Sequence, residues 1–260
     1  MRLLDYFRLV QYGAEKPARF INYLRLGVIS RVFVVVSHEK KLVYIVNPKV
    51  ASTSIATFMV EKTITKEERE RHAIKDKHKL LNKVAIKSYD ELKAYQEKGY
   101  FVFSVVRNPF SRLVSFYKSK FEMSSSGVLI PRKFAIHKDF HNLKGFADVA
   151  RKVCTIPDAV ADSHFMSQSA IIYGLDKSFS PNFVGKIESL DDDLEVVRSQ
   201  FSGERISKEN ATQSEKDDWL TYFTPELADL VSRRFNNDVE NFGYEPEWKN
   251  LQHYLVNQDN

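Results

Sequence analysis

The chain has 260 residues, of which 43% are hydrophobic and 28% are charged, a composition that excludes disordered, collagen-like and coiled-coil proteins. Its single cysteine, Cys154, excludes a disulfide framework and any zinc site that needs several thiolates. The net charge is +5, but residues 1–144 carry 28 basic against 13 acidic residues, which indicates an anionic ligand: nucleic acid, a nucleotide or a polyanionic glycan.

The amino-terminal sequence predicts neither a membrane-spanning helix nor a signal peptide. The most apolar early stretch, residues 27–36, is interrupted by Arg31, whereas a spanning helix needs about 20 apolar residues. Arg2, Asp5 and Arg8 stand among the apolar residues at the start of the chain, unlike the pattern of a signal peptide. We therefore expect a cytoplasmic protein.

Two strands and a helix are predicted in the first part of the chain. Residues 31–37 are rich in β-branched side chains, and a polar turn separates them from a second strand at residues 42–47. Ser52 or Thr53 can cap a helix that reaches about residue 61.

A second strand-to-helix unit follows. Residues 88–98 form a short amphipathic helix that ends at Gly99. Residues 100–106 are almost continuously apolar, which is typical of a strand that is buried on both faces of a parallel sheet. Asn108 and Pro109 then provide a cap and a first residue for the next helix.

The remaining elements continue the alternation of strands and helices. Residues 123–141 are predicted to be a basic loop, residues 183–187 a strand, and residues 191–201 a helix with acidic residues at its start. Thr224 opens a last long helix that ends near Gly243. This order predicts an α/β layer fold with a mostly parallel sheet, and no linker divides residues 1–260 into two domains.

A phosphate site is predicted where the second strand feeds a helix, at residues 47–54. A short turn of this kind directs several backbone N–H groups at one point, and the helix dipole adds partial positive charge. Lys49 contributes a full charge, and Ser52, Thr53 and Ser54 contribute hydroxyl groups. The pattern G-x-x-x-x-G-K-[ST] is absent, which makes an NTPase or an ordinary kinase a weak interpretation.

A second anion site is predicted where the apolar strand ends. Arg107 can bind an anionic group through two guanidinium nitrogens, and Ser115 lies two turns along the helix that follows. Arg112 and Lys118 are expected on the exposed face of that helix. Open α/β sheets bind ligands at the carboxyl ends of their strands, so two such sites suit a nucleotide with phosphates at both its 5′ and 3′ positions.

Both turns resemble motifs of the sulfotransferases that use 3′-phosphoadenosine 5′-phosphosulfate (PAPS). Residues 48–54, Pro-Lys-Val-Ala-Ser-Thr-Ser, resemble their 5′-phosphosulfate loop. Residues 107–117 resemble their 3′-phosphate motif, in the form found in Golgi-type carbohydrate sulfotransferases and their bacterial, family 2-like relatives. The resemblance continues through residues 183–190 and covers about residues 30–245.

The resemblance implies a P-loop-like three-layer α/β fold, with a central, mostly parallel sheet flanked by helices. It also implies that a late loop, residues 208–214, closes over the nucleotide. The residues that it assigns to PAPS binding are Pro48, Lys49, Val50, Ala51, Ser52, Thr53, Ser54, Arg107, Ser115, Asn210 and Ser214.

The resemblance further implies roles in catalysis. Lys49 matches the lysine that stabilises charge on the bridging oxygen as it leaves, and the acceptor hydroxyl needs a base. His78 is the preferred base and His72 is the second choice, while His164 matches a segment near the acceptor cleft. The other candidates for the base are Glu67, Glu68 and Glu70.

The expected acceptor is a carbohydrate hydroxyl on a polysaccharide or on a glycolipid at a membrane surface. Residues 105–144 hold 8 basic against 2 acidic residues, which could attract an anionic acceptor. No metal is expected, because the sulfuryl group carries less charge than a phosphoryl group.

Two alternative functions remain. One is a P-loop-like nucleotide kinase or NTPase, although the chain lacks the glycine motif of these enzymes. The other is a non-catalytic polyanion-binding module. A nucleic-acid binder should alternate basic and exposed aromatic residues, whereas the aromatic residues of 100–103 fall in an apolar run.

Overall fold

A computed structural model of the chain describes residues 30–52, 55, 59, 83–123, 129–131, 140, 143–200 and 219–258. In these ranges, helices and strands alternate along the chain. The strands are β1 Phe33–Ser37, β2 Leu42–Ile45, β3 Lys83–Ala85, β4 Phe101–Val106, β5 Phe121–Met123, β6 Leu129–Pro131 and β7 Phe183–Lys186. The α-helices are α1 Asp90–Glu97, α2 Pro109–Lys120, α3 Phe146–Cys154, α4 Gln168–Tyr173, α5 Leu190–Ser199, α6 Pro225–Arg234, α7 Asn236–Phe242 and α8 Glu245–Gln258.

Five of these strands form the central sheet, in the order β3-β1-β2-β4-β7. β2 pairs in parallel with β4, which places Tyr44 opposite Phe103, and β4 pairs in parallel with β7. β1 is antiparallel to both of its neighbours. The connection from β1 to β2 is a short turn, which permits only an antiparallel pair. The sheet is therefore mostly but not wholly parallel.

Apolar side chains fill both faces of the sheet. On β4, Val102 and Val106 face the larger core, whereas Phe103 and Val105 face a smaller core on the opposite side. The larger core includes residues of α1, α2, α3, α4, α6, α7 and α8, and the smaller core includes Val197 of α5. Helices therefore flank both faces, and burial on both sides explains the continuous apolar run of β4.

The start of α2 is fixed as the sequence predicts. The Asn108 side chain accepts a hydrogen bond of 2.9 Å from the Phe110 backbone N–H, and Pro109 is the first helical residue. Phe110 is fully buried and its ring stacks on Trp219 and Trp248, at centroid distances of 6.0 and 5.4 Å. These contacts hold the first turn of α2 against α8 and against the segment that contains Trp219.

The last long helix predicted from Thr224 to Gly243 is two helices, α6 and α7. The predicted Thr224 cap is confirmed, because its hydroxyl accepts from the Leu227 N–H at 3.3 Å. Phe235 lies between the two helices with its side chain in the core, and its φ of −111° interrupts the helical backbone. Gly243 ends α7 in the left-handed conformation. The next helix, α8, was not predicted from the sequence.

Several short elements escaped sequence prediction. Residues 123–141 were expected to be a loop, but β6 lies within this stretch and pairs in antiparallel fashion with β5. β3, at the edge of the sheet, and helices α3 and α4 were also missed. Strands of three residues are too short to show the two-residue period on which prediction depends.

Candidate active site

Two strand-to-helix turns leave the sheet side by side. β2 and β4 are adjacent and parallel, so their carboxyl ends lie at the same edge of the sheet. β2 runs into residues 46–51 and then into a helical segment that includes Ser52, and β4 runs into Arg107 and Asn108 ahead of α2. The two turns for which the sequence predicts phosphate binding are therefore neighbours.

The turn after β2 has an unusual backbone. Lys49 and Ala51 have φ angles of 73° and 53°, in the left-handed region that costs a non-glycine residue about 1–2 kcal/mol. The Ala51 carbonyl accepts from the Ile55 N–H at 3.1 Å, so a helical turn begins directly after it. Turns of this kind can direct successive N–H groups to one side, and the helix start adds partial positive charge. This backbone is suited to an anion.

Arg107 joins the second turn to the first. Its Nε donates to the Ser111 hydroxyl at 2.9 Å, and its Nη1 lies 3.5 Å from the carbonyl oxygen of Lys49. Ser115 lies one helical turn beyond Ser111 on α2 and is half-buried. In the described part of the chain, no hydrogen-bond partner is found for its hydroxyl. Arg107, Ser111 and Ser115 thus form one polar face that begins beside Lys49.

Positive charges crowd around Lys49. Burial, together with the repulsion of Lys120, Arg107 and Arg112, lowers the pKa of its ammonium group to about 8. Burial also lowers the pKa of Lys120, which Asp162 partly opposes. A concentration of cations at a sheet edge attracts an anion, and a bound anion would relieve their mutual repulsion. We call Lys49, Arg107, Arg112 and Lys120 the cation cluster.

Arg112 is buried, which contradicts its predicted place on the exposed face of α2. The residue is only 3% exposed, and burial lowers the pKa of its guanidinium to about 10. The guanidinium donates to three backbone carbonyls, which belong to Pro48 at 3.1 Å, Ser163 at 3.0 Å and Met166 at 2.8 Å. Arg112 therefore fixes the Lys49 turn to residues 163–166.

The side-chain amide of Gln168 also ties the two turns together. Its Oε1 accepts from Asn47 Nδ2 and from the Arg107 N–H, both at 2.9 Å, and its Nε2 donates to the Arg107 carbonyl at 2.7 Å. The Gln168 N–H donates in turn to buried Asp238 at 2.8 Å. One fully buried residue thus sets where both turns leave the sheet.

Residues that follow β7, the strand parallel to β4, contact the same edge of the sheet. The Asn108 N–H donates to Glu188 at 2.8 Å, and the Tyr244 hydroxyl donates to the other oxygen of that carboxylate at 2.9 Å. Burial and the neighbouring Glu188 raise the pKa of Tyr244, so its hydroxyl keeps its proton and remains a donor. Lys186 lies over the Tyr244 ring, 4.5 Å from its centroid.

His164 lies on the segment that Arg112 binds. Its Nδ1 is 2.6 Å from the Asp162 carboxylate, and the same oxygen accepts from the His164 backbone N–H at 3.0 Å. The His164 and Asp162 side chains are 24% and 13% exposed, respectively, so solvent or a ligand can reach the imidazole. The structure therefore places an oriented histidine next to the cation cluster.

The structure brings together many of the residues that the sequence singled out for the site. Pro48, Lys49, Val50, Ala51 and Ser52 lie on the first turn, Arg107 and Ser115 on the second turn and its helix, and His164 beside them. Other candidate residues lie outside the described residues, and for these the sequence predictions stay predictions. They are Thr53, Ser54, Glu67, Glu68, Glu70, His72, His78, Asn210 and Ser214.

Sequence reasoning missed four residues of this site. Gln168 carried no local signal, because its partners Asn47 and Arg107 lie far away in the sequence, and Asp162 was not singled out although its partner His164 is only two residues away. Lys120 ends α2 and was not singled out, although it lies close enough to Lys49 to affect its pKa. The one available signal for Arg112 was its position among core residues of α2, between Ser111 and Leu113, which are also buried.

Comparison with known proteins identifies the family. Residues 33–245, most of the chain, match the family model described as Sulfotransferase family. The chain belongs to the sulfotransferase family. Comparisons with curated proteins and with solved structures give no match. Family membership supports sulfuryl transfer as the general activity, so the cation cluster of this sulfotransferase is a candidate active site.

Among the residues that the structure describes, no three His, Cys, Asp or Glu side chains group as ligands of a metal ion. None of the helices in the described ranges combines the length and the apolar content that a membrane crossing requires.

Replacement of Gln168 tests whether it holds the two turns. Gln168→Leu removes the partners of the Arg107 backbone N–H and carbonyl, which are left unpaired, and one of the two acceptors of Asn47 Nδ2, which keeps its bond to the Val105 carbonyl. Each such group costs about 1–3 kcal/mol, so we expect the free energy of unfolding in urea to fall by at least about 2 kcal/mol. Gln200→Leu, an exposed glutamine, is the matched control and should change it by less than about 0.5 kcal/mol. Equal stability of the two variants would contradict the assignment.

Proposed function

We propose that this sulfotransferase transfers a sulfuryl group from PAPS to a hydroxyl group of a carbohydrate. The observation that carries the proposal is the contact between the two turns, in which Arg107 Nη1 approaches the Lys49 carbonyl at 3.5 Å inside a cluster of four cations. Two anion-binding turns in contact suit a donor that carries phosphate groups at both ends of one nucleoside. The family, which generally uses PAPS, supports the same choice.

The residues of the first turn suit the 5′ end of the donor. Lys49 is partly buried, and burial together with the repulsion of Lys120, Arg107 and Arg112 lowers its pKa, so a bound anion would favour its charged form. The left-handed Lys49 and Ala51, with Ser52 at the start of the helix, offer backbone and hydroxyl donors. We assign Pro48–Ser52 to the phosphosulfate, together with Thr53 and Ser54 from the sequence resemblance.

The second turn suits the 3′-phosphate. Arg107 is oriented by Ser111, and Ser115 offers its hydroxyl on the same face of α2. A guanidinium and a hydroxyl next to each other can bind a phosphate through several hydrogen bonds. We assign Arg107 and Ser115 to this group, and Asn210 and Ser214 of the late loop to closure over the nucleotide.

Lys49 has a direct chemical role in this proposal. PAPS, when bound, supplies the sulfuryl group. A charged Lys49 stabilises the negative charge that develops on the oxygen from which that group departs. Because Arg112 and Gln168 fix the Lys49 turn before any ligand binds, little reorganisation is needed when the charge develops. The chain thus supplies orientation and positive charge, which are the main requirements of an in-line transfer.

The acceptor side of the reaction needs a base and a binding surface. The sequence resemblance proposes His78 as the base, with His72 as the second choice. A carbohydrate acceptor, on a polysaccharide or a glycolipid, would approach the basic stretch of residues 105–144. We also propose that residues 1–260 form one domain, and that the turn after β2 is P-loop-like in its geometry although it lacks the glycines.

The donor assignment predicts how the protein distinguishes nucleotides. Wild-type protein should bind 3′-phosphoadenosine 5′-phosphate more tightly than adenosine 5′-monophosphate in calorimetry. Arg107→Ala should lose most of this difference, about 10- to 100-fold, because a hydrogen bond to a charged group contributes about 1.5–3 kcal/mol. Ser115→Ala should lose less, about 2- to 10-fold.

Arg233→Ala is the matched control for these measurements. Arg233 is exposed on α6, where it pairs with Asp229, so its removal should leave both affinities unchanged. The Gln168 bonds in the second turn go to the backbone of Arg107 and survive the Arg107→Ala substitution. If Arg107→Ala still prefers the 3′-phosphorylated nucleotide, the assignment of the second turn is wrong.

The lowered pKa of Lys49 predicts a pH-dependent affinity. Lys49 is charged below about pH 8 and loses its proton above it, whereas a bound anion favours the charged form. Affinity for 3′-phosphoadenosine 5′-phosphate should therefore be level between pH 7 and 7.5 and fall by up to about tenfold per pH unit above pH 8. Binding at pH 8.5 should take up a proton, measurable by calorimetry in two buffers of different ionisation enthalpy.

Lys49→Arg separates this effect from other titrations. Arginine stays charged throughout this range, so the variant should bind with little pH dependence and without proton uptake. Lys41→Ala, at an exposed lysine that also has positive φ, is the control and should behave like the wild type. An unchanged pH dependence in Lys49→Arg would show that another group titrates.

The acceptor class is tested by transfer of labelled sulfate from PAPS to a panel of glycans, phenols and peptides. We expect labelled polysaccharide or glycolipid, with faster transfer to anionic glycans at low than at high ionic strength. Label found only on phenols or peptides would overturn the carbohydrate assignment and leave the donor assignment intact.

A further inference from the structure

Residues 162–166 form a tight turn that orients His164. The N–H groups of Phe165 and Met166 donate to the Asp162 carbonyl at 3.0 and 2.8 Å. One carboxylate oxygen of Asp162 accepts the His164 backbone N–H and lies 2.6 Å from its Nδ1. An ionised carboxylate can only accept hydrogen bonds, so with Asp162 ionised and the imidazole neutral this contact favours the proton on Nδ1 and leaves Nε2 as the basic nitrogen.

Arg112 holds this turn next to Lys49. Its Nη2 donates to the carbonyl of Ser163 at 3.0 Å, while its Nε donates to that of Pro48 at 3.1 Å. The residues bonded to one guanidinium therefore directly precede His164 and Lys49 in the sequence. Lys120 lies near both turns, because its charge repels that of Lys49 and attracts that of Asp162.

The other described histidines have different locations. His38 lies on the turn between β1 and β2, at the opposite end of β2 from the cation cluster, and its Nδ1 is 2.8 Å from the Tyr100 hydroxyl. His253 is exposed on α8 beside Asn257. Of the three histidines that the structure describes, His164 is the one tied to the Lys49 turn.

We propose that His164, oriented by Asp162, is the base that takes the proton from the acceptor hydroxyl. This inference rests on the proposed function and replaces His78 and His72 in that role. The acceptor O–H bond breaks and its proton moves to Nε2, while the acceptor oxygen forms its bond to sulfur. The bond from sulfur to the phosphate oxygen breaks, and its electron pair stays on that oxygen, next to Lys49.

The surroundings of His164 suit this role. Asp162 stabilises the imidazolium that forms, as an orienting carboxylate does for other catalytic histidines. The positive charges near this turn are those of Lys120 and Arg112, on α2, and that of Lys49, on the turn after β2. Asp158, which accepts from the Ser167 hydroxyl, pairs with Arg234 at 2.5 Å, so these two residues add no net charge. The 24% exposure of the imidazole lets the proton pass to water.

Kinetics of sulfate transfer with single variants test the inference. His164→Gln should lower kcat by about 10²–10⁴-fold, as removal of a general base does, and abolish the acidic limb of the kcat/KM profile. Asp162→Asn should lower kcat less, because the ring stays in place but loses the carboxylate that orients it. Affinity for 3′-phosphoadenosine 5′-phosphate should stay within about threefold in both, which also shows that both variants fold.

A nitrogen-15 NMR spectrum of the ligand-free protein gives a readout that does not depend on activity. The ring of His164 should carry its proton on Nδ1 in the wild type and lose that preference in Asp162→Asn. His253→Gln, an exposed histidine, is the control variant and should leave kcat unchanged.

The outcomes separate this inference from the function on which it rests. If His164→Gln keeps the acidic limb, or if His78→Gln or His72→Gln removes it, the base lies elsewhere and the donor assignment still stands. An Nε2–H tautomer in the wild type would also overturn the inference. If the wild type transfers no sulfate from PAPS, the proposed function fails and this inference fails with it.

Discussion

The candidate site depends on one buried guanidinium. A buried charge without partners is costly, and Arg112 meets this constraint by donating to the carbonyls of Pro48, Ser163 and Met166. Asp238 and Asp158 also favour its charged form. Because a carbonyl dipole binds more weakly than a carboxylate, the charge is only partly compensated. Arg112 therefore both connects the segments of the site and adds to its positive field.

The cation cluster has an energetic consequence for the unliganded protein. Like charges repel, and the lowered pKa of Lys49 shows that repulsion and burial disfavour its ammonium form. The strained φ angles of Lys49 and Ala51 add to this cost. Structural contacts elsewhere, such as the buried Gln168 amide, must hold the arrangement in place. A ligand with several negative charges would recover the electrostatic part of this energy on binding.

The sequence predicted those parts of the site whose determinants are local. Arg107 follows a buried strand, and Asn108 caps α2, so both could be recognised from neighbouring residues. The orientation of Arg112 could not, because its acceptors come from carbonyl groups that any residue could supply. Gln168 bonds across 61 and 121 positions of sequence, and only the assembled sheet edge shows why it is there. In the fold, β2 and β4 were predicted, whereas three-residue β3 and β6 were not.

The two halves of the proposed reaction are mechanically coupled. The carbonyl of Pro48 precedes Lys49, the carbonyl of Ser163 precedes His164, and the same planar guanidinium binds both. A displacement of either turn would stretch a hydrogen bond of a buried charge, so the distance between the lysine and the histidine is restrained. In-line transfer depends on holding the acceptor and the departing oxygen on opposite sides of one sulfur atom. If Lys49 and His164 have the roles proposed above, the link that Arg112 provides between their turns serves this requirement directly.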